Sequence, residues 1–129
     1  ACSAALVRLR TIQSGASRRT PDPRPRVLDA GAMDLATATI ADLERAMESG
    51  AWTAAALTAA YLERIARTRH LGAVLAIDPS ALAQAEALDA ERAAGRVRGP
   101  LHGIPLLLKD NIETSAPVPT TAGSLALES

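Results

Sequence analysis

The stretch that most constrains this chain is the apolar run Ile104 to Leu108, followed at once by Lys109. The run lacks the alternation of a half-exposed strand. It therefore predicts a strand buried on both faces, which needs sheet neighbours on either side and helices above and below. The residues offer one other strand candidate, Ala73 to Ile77. Two strands alone would leave open edges that invite aggregation. The expected fold is α/β, and the chain is expected to be the N-terminal part of a larger unit.

Helices are predicted around these strands. Thr39 with Asp42 three residues on is a capping-box variant, and it opens a helix over 39–49. Ile40, Leu43 and Met47 share one of its faces, and Gly50 stands where a C-terminal cap belongs. A second helix is predicted from about Thr53 to Thr68, with Leu57, Tyr61, Leu62 and Ile65 as its apolar stripe. Glu63 and Arg67 are spaced i,i+4 in the favourable order. The short Gly50-to-Trp52 link makes these two helices packed neighbours. Asp78 as N-cap and Pro79 at the first helical position open a third helix. It turns Leu82, Ala85 and Leu88 inward and ends near Gly95.

Residues 1–32 have no sustained apolar period and carry six arginines against Asp22 and Asp29. Their alternating prolines exclude helix and central strand. This segment is expected to be a disordered basic leader. Met33 stands where the ordered pattern begins and is a candidate start, residues 1–32 then being upstream sequence. No aromatic side chain is interleaved there for stacking on bases. The net charge is +0, so nothing draws the whole chain toward nucleic acid or membrane. No run approaches the roughly 20 apolar residues of a membrane span. The first residues are too quickly charged for a signal peptide, and the expected location is cytoplasmic. Cys2 is the only cysteine, and His70 and His102 are isolated, so no zinc-ligand spacing exists.

Lys109 is the only lysine; every other cation is arginine. Arginine keeps its proton in a protein, whereas a lysine taken out of water is able to lose it. At the end of an apolar strand, Lys109 is a candidate base. An ordinary ion pair, to Asp110 or a distant carboxylate, is the other role these residues allow.

The wording around Lys109 is longer than a single motif. Gly99-Pro-Leu-His-Gly-Ile-Pro-Leu-Leu-Leu-Lys-Asp-Asn-Ile112 is followed by Pro119-Thr-Thr-Ala-Gly-Ser-Leu-Ala-Leu127. Together they resemble the first block of the amidase signature family. Ala60-Tyr-Leu-Glu-Arg-Ile65, Ala73-Val-Leu75 and Leu88-Asp-Ala-Glu-Arg92 are similar to it too, so the likeness runs from about residue 34 to the end. Within the family, the wording looks most like the peptide amidase branch. The resemblance implies a mixed sheet covered by helices, of which these residues form the N-terminal part.

The resemblance also implies a Ser–cis-Ser–Lys triad with Lys109 as its lysine and no metal or organic cofactor. The implied substrate is a small amide or a C-terminally amidated peptide, with no nucleic acid or membrane partner. The family's two serines lie well downstream in its pattern. After Lys109 the chain holds Ser115, Ser124 and Ser129, none in a Gly/Ser-rich loop. Lys109 is thus expected to be the one triad member here, and the chain alone to be inactive. Thr120 and Thr121 are expected to support the site by hydrogen bonds, Asp110 and Asn111 to fix the turn after the strand, and His102 to be structural. The alternatives are the A subunit of a tRNA-dependent amidotransferase and a non-catalytic helical binding module.

Overall fold

The computed structural model describes residues 6–9, 33–114 and 118–127. In chain order these form strand β1 (Leu6–Leu9), helices α1 (Ile40–Glu48) and α2 (Ala54–Arg67), strand β2 (Val74–Ile77), helix α3 (Ala81–Ala93) and strand β3 (Leu106–Lys109). Short 3-10 turns at Arg69–Leu71 and Leu125–Leu127 complete the elements.

Helices α1 and α2 start where a side chain takes over an orphaned backbone N–H. Thr39 caps α1 in a full capping box: its hydroxyl accepts from the Asp42 N–H, and the Asp42 carboxylate accepts from the Thr39 N–H. Those bonds, with Arg45 alongside, hold the Asp42 carboxyl at about 2, against an ordinary 3.8. Thr53 caps α2 by accepting from the Ala56 N–H. The expected opening of α3 shifts by two residues. Asp78 is buried, and its carboxylate accepts from the N–H and hydroxyl of Ser80 and from Gln84 Nε2. Burial works against its charge, yet the Ser80 and Gln84 bonds prevail and keep its carboxyl below the usual range.

The core lies between the helices. Leu43 and Met47 of α1 meet Ala54 and Leu57 of α2, Ala85 of α3 and Ile104. Met33, Leu35, Trp52 and Tyr61 pack against that cluster. Alanine on both α2 and α3 brings the helices close, which is how a chain without phenylalanine fills its interior. Two stripe assignments change. Ile40 and Leu82 are exposed, and Ala81 takes the inward place on α3. Ala81, Ala85 and Leu88 fall at i, i+4 and i+7, one face of a 3.6-residue period, and Leu82 falls off it.

The sheet is mixed and has the order β2-β1-β3. β1 runs antiparallel to β2 and parallel to β3, with Val7 opposite both Ile77 and Leu107 and Leu9 opposite Lys109. The register between β1 and β2 shifts between Val7 and Leu9. Leu6–Leu9 therefore form a strand inside the stretch expected to be a disordered leader. Pairing with two neighbours outweighs the weak local pattern there. The other residues of that leader lie outside the described ones.

The double burial predicted for β3 is corrected. Leu106 and Leu108 are half-buried, while Leu107 and Lys109 are exposed. β2 alternates in the same way, with Leu75 and Ile77 exposed. The shared opposition to Val7 places Leu107 and Ile77 on one face of the sheet, and the two-residue period adds Leu75 and Lys109 to it. Nothing among the described residues covers that face, so the strand is apolar on both sides but buried on one.

Candidate active site

Lys109 is the last residue of β3, and its side chain stands on the uncovered face beyond Leu107. The chain turns there at once, and the Lys109 carbonyl accepts from the Ile112 N–H at 3.0 Å. Lys109 is exposed, and the Asp110 carboxylate accepts hydrogen bonds from another segment. A groove of about 470 Å³ opens between α2 and the sheet, lined by Tyr61, Ile65, Thr68, Val74, Leu106 and Leu107 among others. Lys109 does not line it.

Asp110 turns the other way and is buried. Its carboxylate accepts from the hydroxyl of Thr121, from the Thr121 N–H at 3.2 Å and from the Gly123 N–H at 3.3 Å. Its carbonyl accepts from the Ala122 N–H, also at 3.2 Å. The segment after residue 118 is thereby folded back onto the exit of β3. Of the two threonines expected to support the site, Thr121 makes this bond. Ser124 follows as an exposed residue whose N–H donates to the Thr121 carbonyl. Ser115 and Ser129 lie outside the described residues.

On the opposite end of the run, His102 is buried and fully engaged. Its Nε2 lies 2.9 Å from the Leu88 carbonyl, to which it donates, and its Nδ1 accepts from the Arg98 N–H. The Arg92 guanidinium donates to the His102 carbonyl. These bonds tie the turn before β3 to α3, and they give the ring a structural task. An ion pair between Arg98 and Glu91 closes the same turn. That bond to Arg98 holds the Glu91 carboxyl below its usual range, against the opposing pull of burial.

Two residues that hold this frame were not visible as such in sequence. Asp89 of α3 accepts from the Ala54 and Ala55 N–H groups at 2.6 and 2.9 Å, capping α2 from a neighbouring helix. Gly103 has a φ of +84°, and a Cβ there would meet the Ala54 Cβ at 2.8 Å. The sequence carried no signal for the second beyond a glycine in the turn before the strand; the first has none, because its partners lie 34 and 35 residues away. Among the described residues, no three His, Cys, Asp or Glu side chains come together to hold a metal ion. Nor is any helix among them long and apolar enough to cross a membrane.

A mixed sheet backed by capped helices, with a lone lysine at the exit of its apolar strand, is the arrangement that the wording around Lys109 foretold. The family model for amidases matches residues 56–129, and the chain belongs to the amidase family. The native peptide amidase of Stenotrophomonas maltophilia is 52% identical and superposes with a TM-score of 0.68 over 72% of this chain and 20% of its own. A protein of Schizosaccharomyces pombe that bears the name amidase is 44% identical over 94 residues, which are 72% of this chain and 16% of that one. In Streptomyces coelicolor, the A subunit of the glutamyl-tRNA(Gln) amidotransferase is 44% identical over 97 residues, 74% of this chain and 19% of its own. The chain thus spans about a fifth or less of the relatives it matches. Its fold over the matched part is that of the amidase signature enzymes.

Proposed function

We propose that residues 33–129 supply the lysine of an amidase that hydrolyses carboxamide C–N bonds by a Ser–cis-Ser–Lys mechanism. The observation that supports this most is the place of Lys109: the end of β3, inside the family match, on an uncovered face with Leu75, Ile77 and Leu107. The two serines would come from a part of the polypeptide corresponding to the four-fifths of the peptide amidase that these residues do not span. Docked on the leucine-lined face, that part would exclude water around Nζ, and a lysine out of water is the more readily neutral.

Neutral Lys109 would take a proton through the cis-serine as the second serine attacks the amide carbonyl. Backbone N–H groups beside the nucleophile would hold the oxyanion, and the proton would pass to the leaving amine. Water then hydrolyses the acyl-enzyme. The substrate class is a small amide or a C-terminally amidated peptide. The 129 residues alone should release no ammonia from such substrates at an enzymatic rate.

The test is made in the complete enzyme. Lys109→Ala should lower turnover by orders of magnitude, and Lys109→Arg should not restore it, because arginine keeps its proton. Activity in the arginine variant would rule out proton acceptance. The relatives named as amidotransferase A subunits favour a second reading, a component that works on glutamyl-tRNA with partners. Hydrolysis of simple amides by the purified protein, without partners or ATP, would decide for the first.

A further inference from the structure

The turn at Thr121–Ser124 is built against the local preference of the backbone. Its two central residues are both left-handed, Ala122 with φ 49° and Gly123 with φ 81°. Ala122 is the only non-glycine with positive φ among the described residues. A side chain with a Cβ disfavours that conformation, and such strain persists only where the surroundings over-determine it. The turn closes on itself through the Thr121 carbonyl and hydroxyl, which accept from the Ser124 and Gly123 N–H groups, and from outside the turn one residue reaches all three of Thr121, Ala122 and Gly123. The carbonyl of Asp110 holds the Ala122 N–H, and its buried carboxylate holds the N–H groups of Thr121 and Gly123 and the Thr121 hydroxyl.

Asp110 directly follows Lys109. A force that pulls the 121–123 turn onto Asp110 therefore also fixes the direction in which the chain leaves β3, and with it the root of the lysine side chain. The geometry points to Asp110 as a positioning residue: through the strained Ala122 turn it sets the place from which Lys109 reaches the reacting serines. The inference rests on the proposed role of Lys109.

The chemistry calls for a carboxylate and not an amide. Three donors converge on two oxygens, and asparagine would turn an NH2 toward at least one N–H. Glutamate would keep the charge but carry it one methylene too far. Strain gives the handle for a test. Ala122→Gly removes the cost of the left-handed backbone, so the turn needs its clamp less.

Two measurements separate this device from its premise. In the complete enzyme, Asp110→Asn should lower kcat on a simple amide at least tenfold with KM changed less than twofold. Adding Ala122→Gly should restore several-fold of the loss. Thr121→Val, which removes one donor and spares the carboxylate, should give a smaller loss of the same kind. In the 129-residue chain, reductive methylation with 13C-formaldehyde labels Lys109 and the α-amino terminus alone, since there is no other lysine. The Lys109 methyl resonance should shift in Asp110→Asn, return toward its position with Ala122→Gly, and stay put in the control Glu63→Gln.

An unshifted resonance, or a kcat loss that Ala122→Gly leaves unrepaired, overturns the positioning role. A loss carried by KM overturns it too. If the resonance follows the pattern while Lys109→Ala remains fully active, the clamp stands and the proposed mechanism falls.

Discussion

Leucines in the helices and leucines in the sheet meet opposite fates in this chain. Leu57 on α2 has 0% of its surface exposed, whereas Leu75 and Leu107 leave 49% and 50% of theirs in water. The helices close on one another: α1, α2 and α3 bury one stripe each, Asp89 of α3 helps to cap α2, and all three share a core with Ile104. The sheet closes on one side only. Fully burying a leucine contributes about 1.5–3 kcal/mol, so the uncovered face holds back free energy that a covering layer would release. The residue proposed to carry chemistry stands on that unsatisfied side, and the residues that give the chain its stability stand on the other.

The sharpest way to break this contrast is to delete the same side chain in both halves. Leu57→Ala should cost about 2–5 kcal/mol, as large-to-small changes in packed cores do. Leu107→Ala should change the stability of the 129-residue chain by less than about 0.5 kcal/mol, as exposed substitutions do. Urea titrations of both variants read the difference. Equal losses would mean that the sheet face is covered in solution.

Gly103→Ala probes the seam between the halves, where the turn before β3 touches α2. The new Cβ would sit 2.8 Å from that of Ala54, on a backbone with φ +84°. Overpacking and a left-handed alanine together should cost about 2–4 kcal/mol. Gly95→Ala is the control, since a Cβ there meets nothing and only the backbone is strained. A Gly103 variant no worse than the Gly95 one would show that the close approach is not rigid.

Asp89→Ala comes next. It strips both N–H groups of the α2 start of their acceptor and should cost about 1–2 kcal/mol, the range for a lost N-cap. Because Asp89 and Leu57 both serve α2, their effects should fall short of additive in the double variant.

These residues also mark what was legible beforehand. The capping box at Thr39 and Asp42, the helix from about Thr53 and the strand at 74–77 were readable because each is set by residues within a few positions. The amidase wording from Gly99 to Ile112 gave the family, and the family the mixed sheet. The Asp89 cap was not readable, since its partners are distant in sequence. Burial of β3 was over-read for a physical reason: apolar residues state that a face is fit to be covered, not that a cover is present. The β1 strand was missed because four residues carry too little period to outweigh a proline-rich context.

The smallest expected effect concerns acid. Hydrogen bonds from the Thr39 hydroxyl and N–H, and then from Arg45, lower the Asp42 carboxyl in the folded chain to about 2, below the 3.8 it takes up when free. A depressed carboxyl stabilises the fold above its unfolded value. That contribution is complete above about pH 5 and fades as the pH falls through 3.8 toward 2. Asp78 and Glu91 act with the same sign, and both flank or belong to α3. Acid should thus weaken the half of the molecule that is otherwise closed. Thermal melts of the wild-type chain and of Asp42→Asn should differ at pH 5 and converge near pH 2, because asparagine has no proton to gain. A gap that is as wide at pH 2 as at pH 5 would show that the capping box owes nothing to the charge of Asp42.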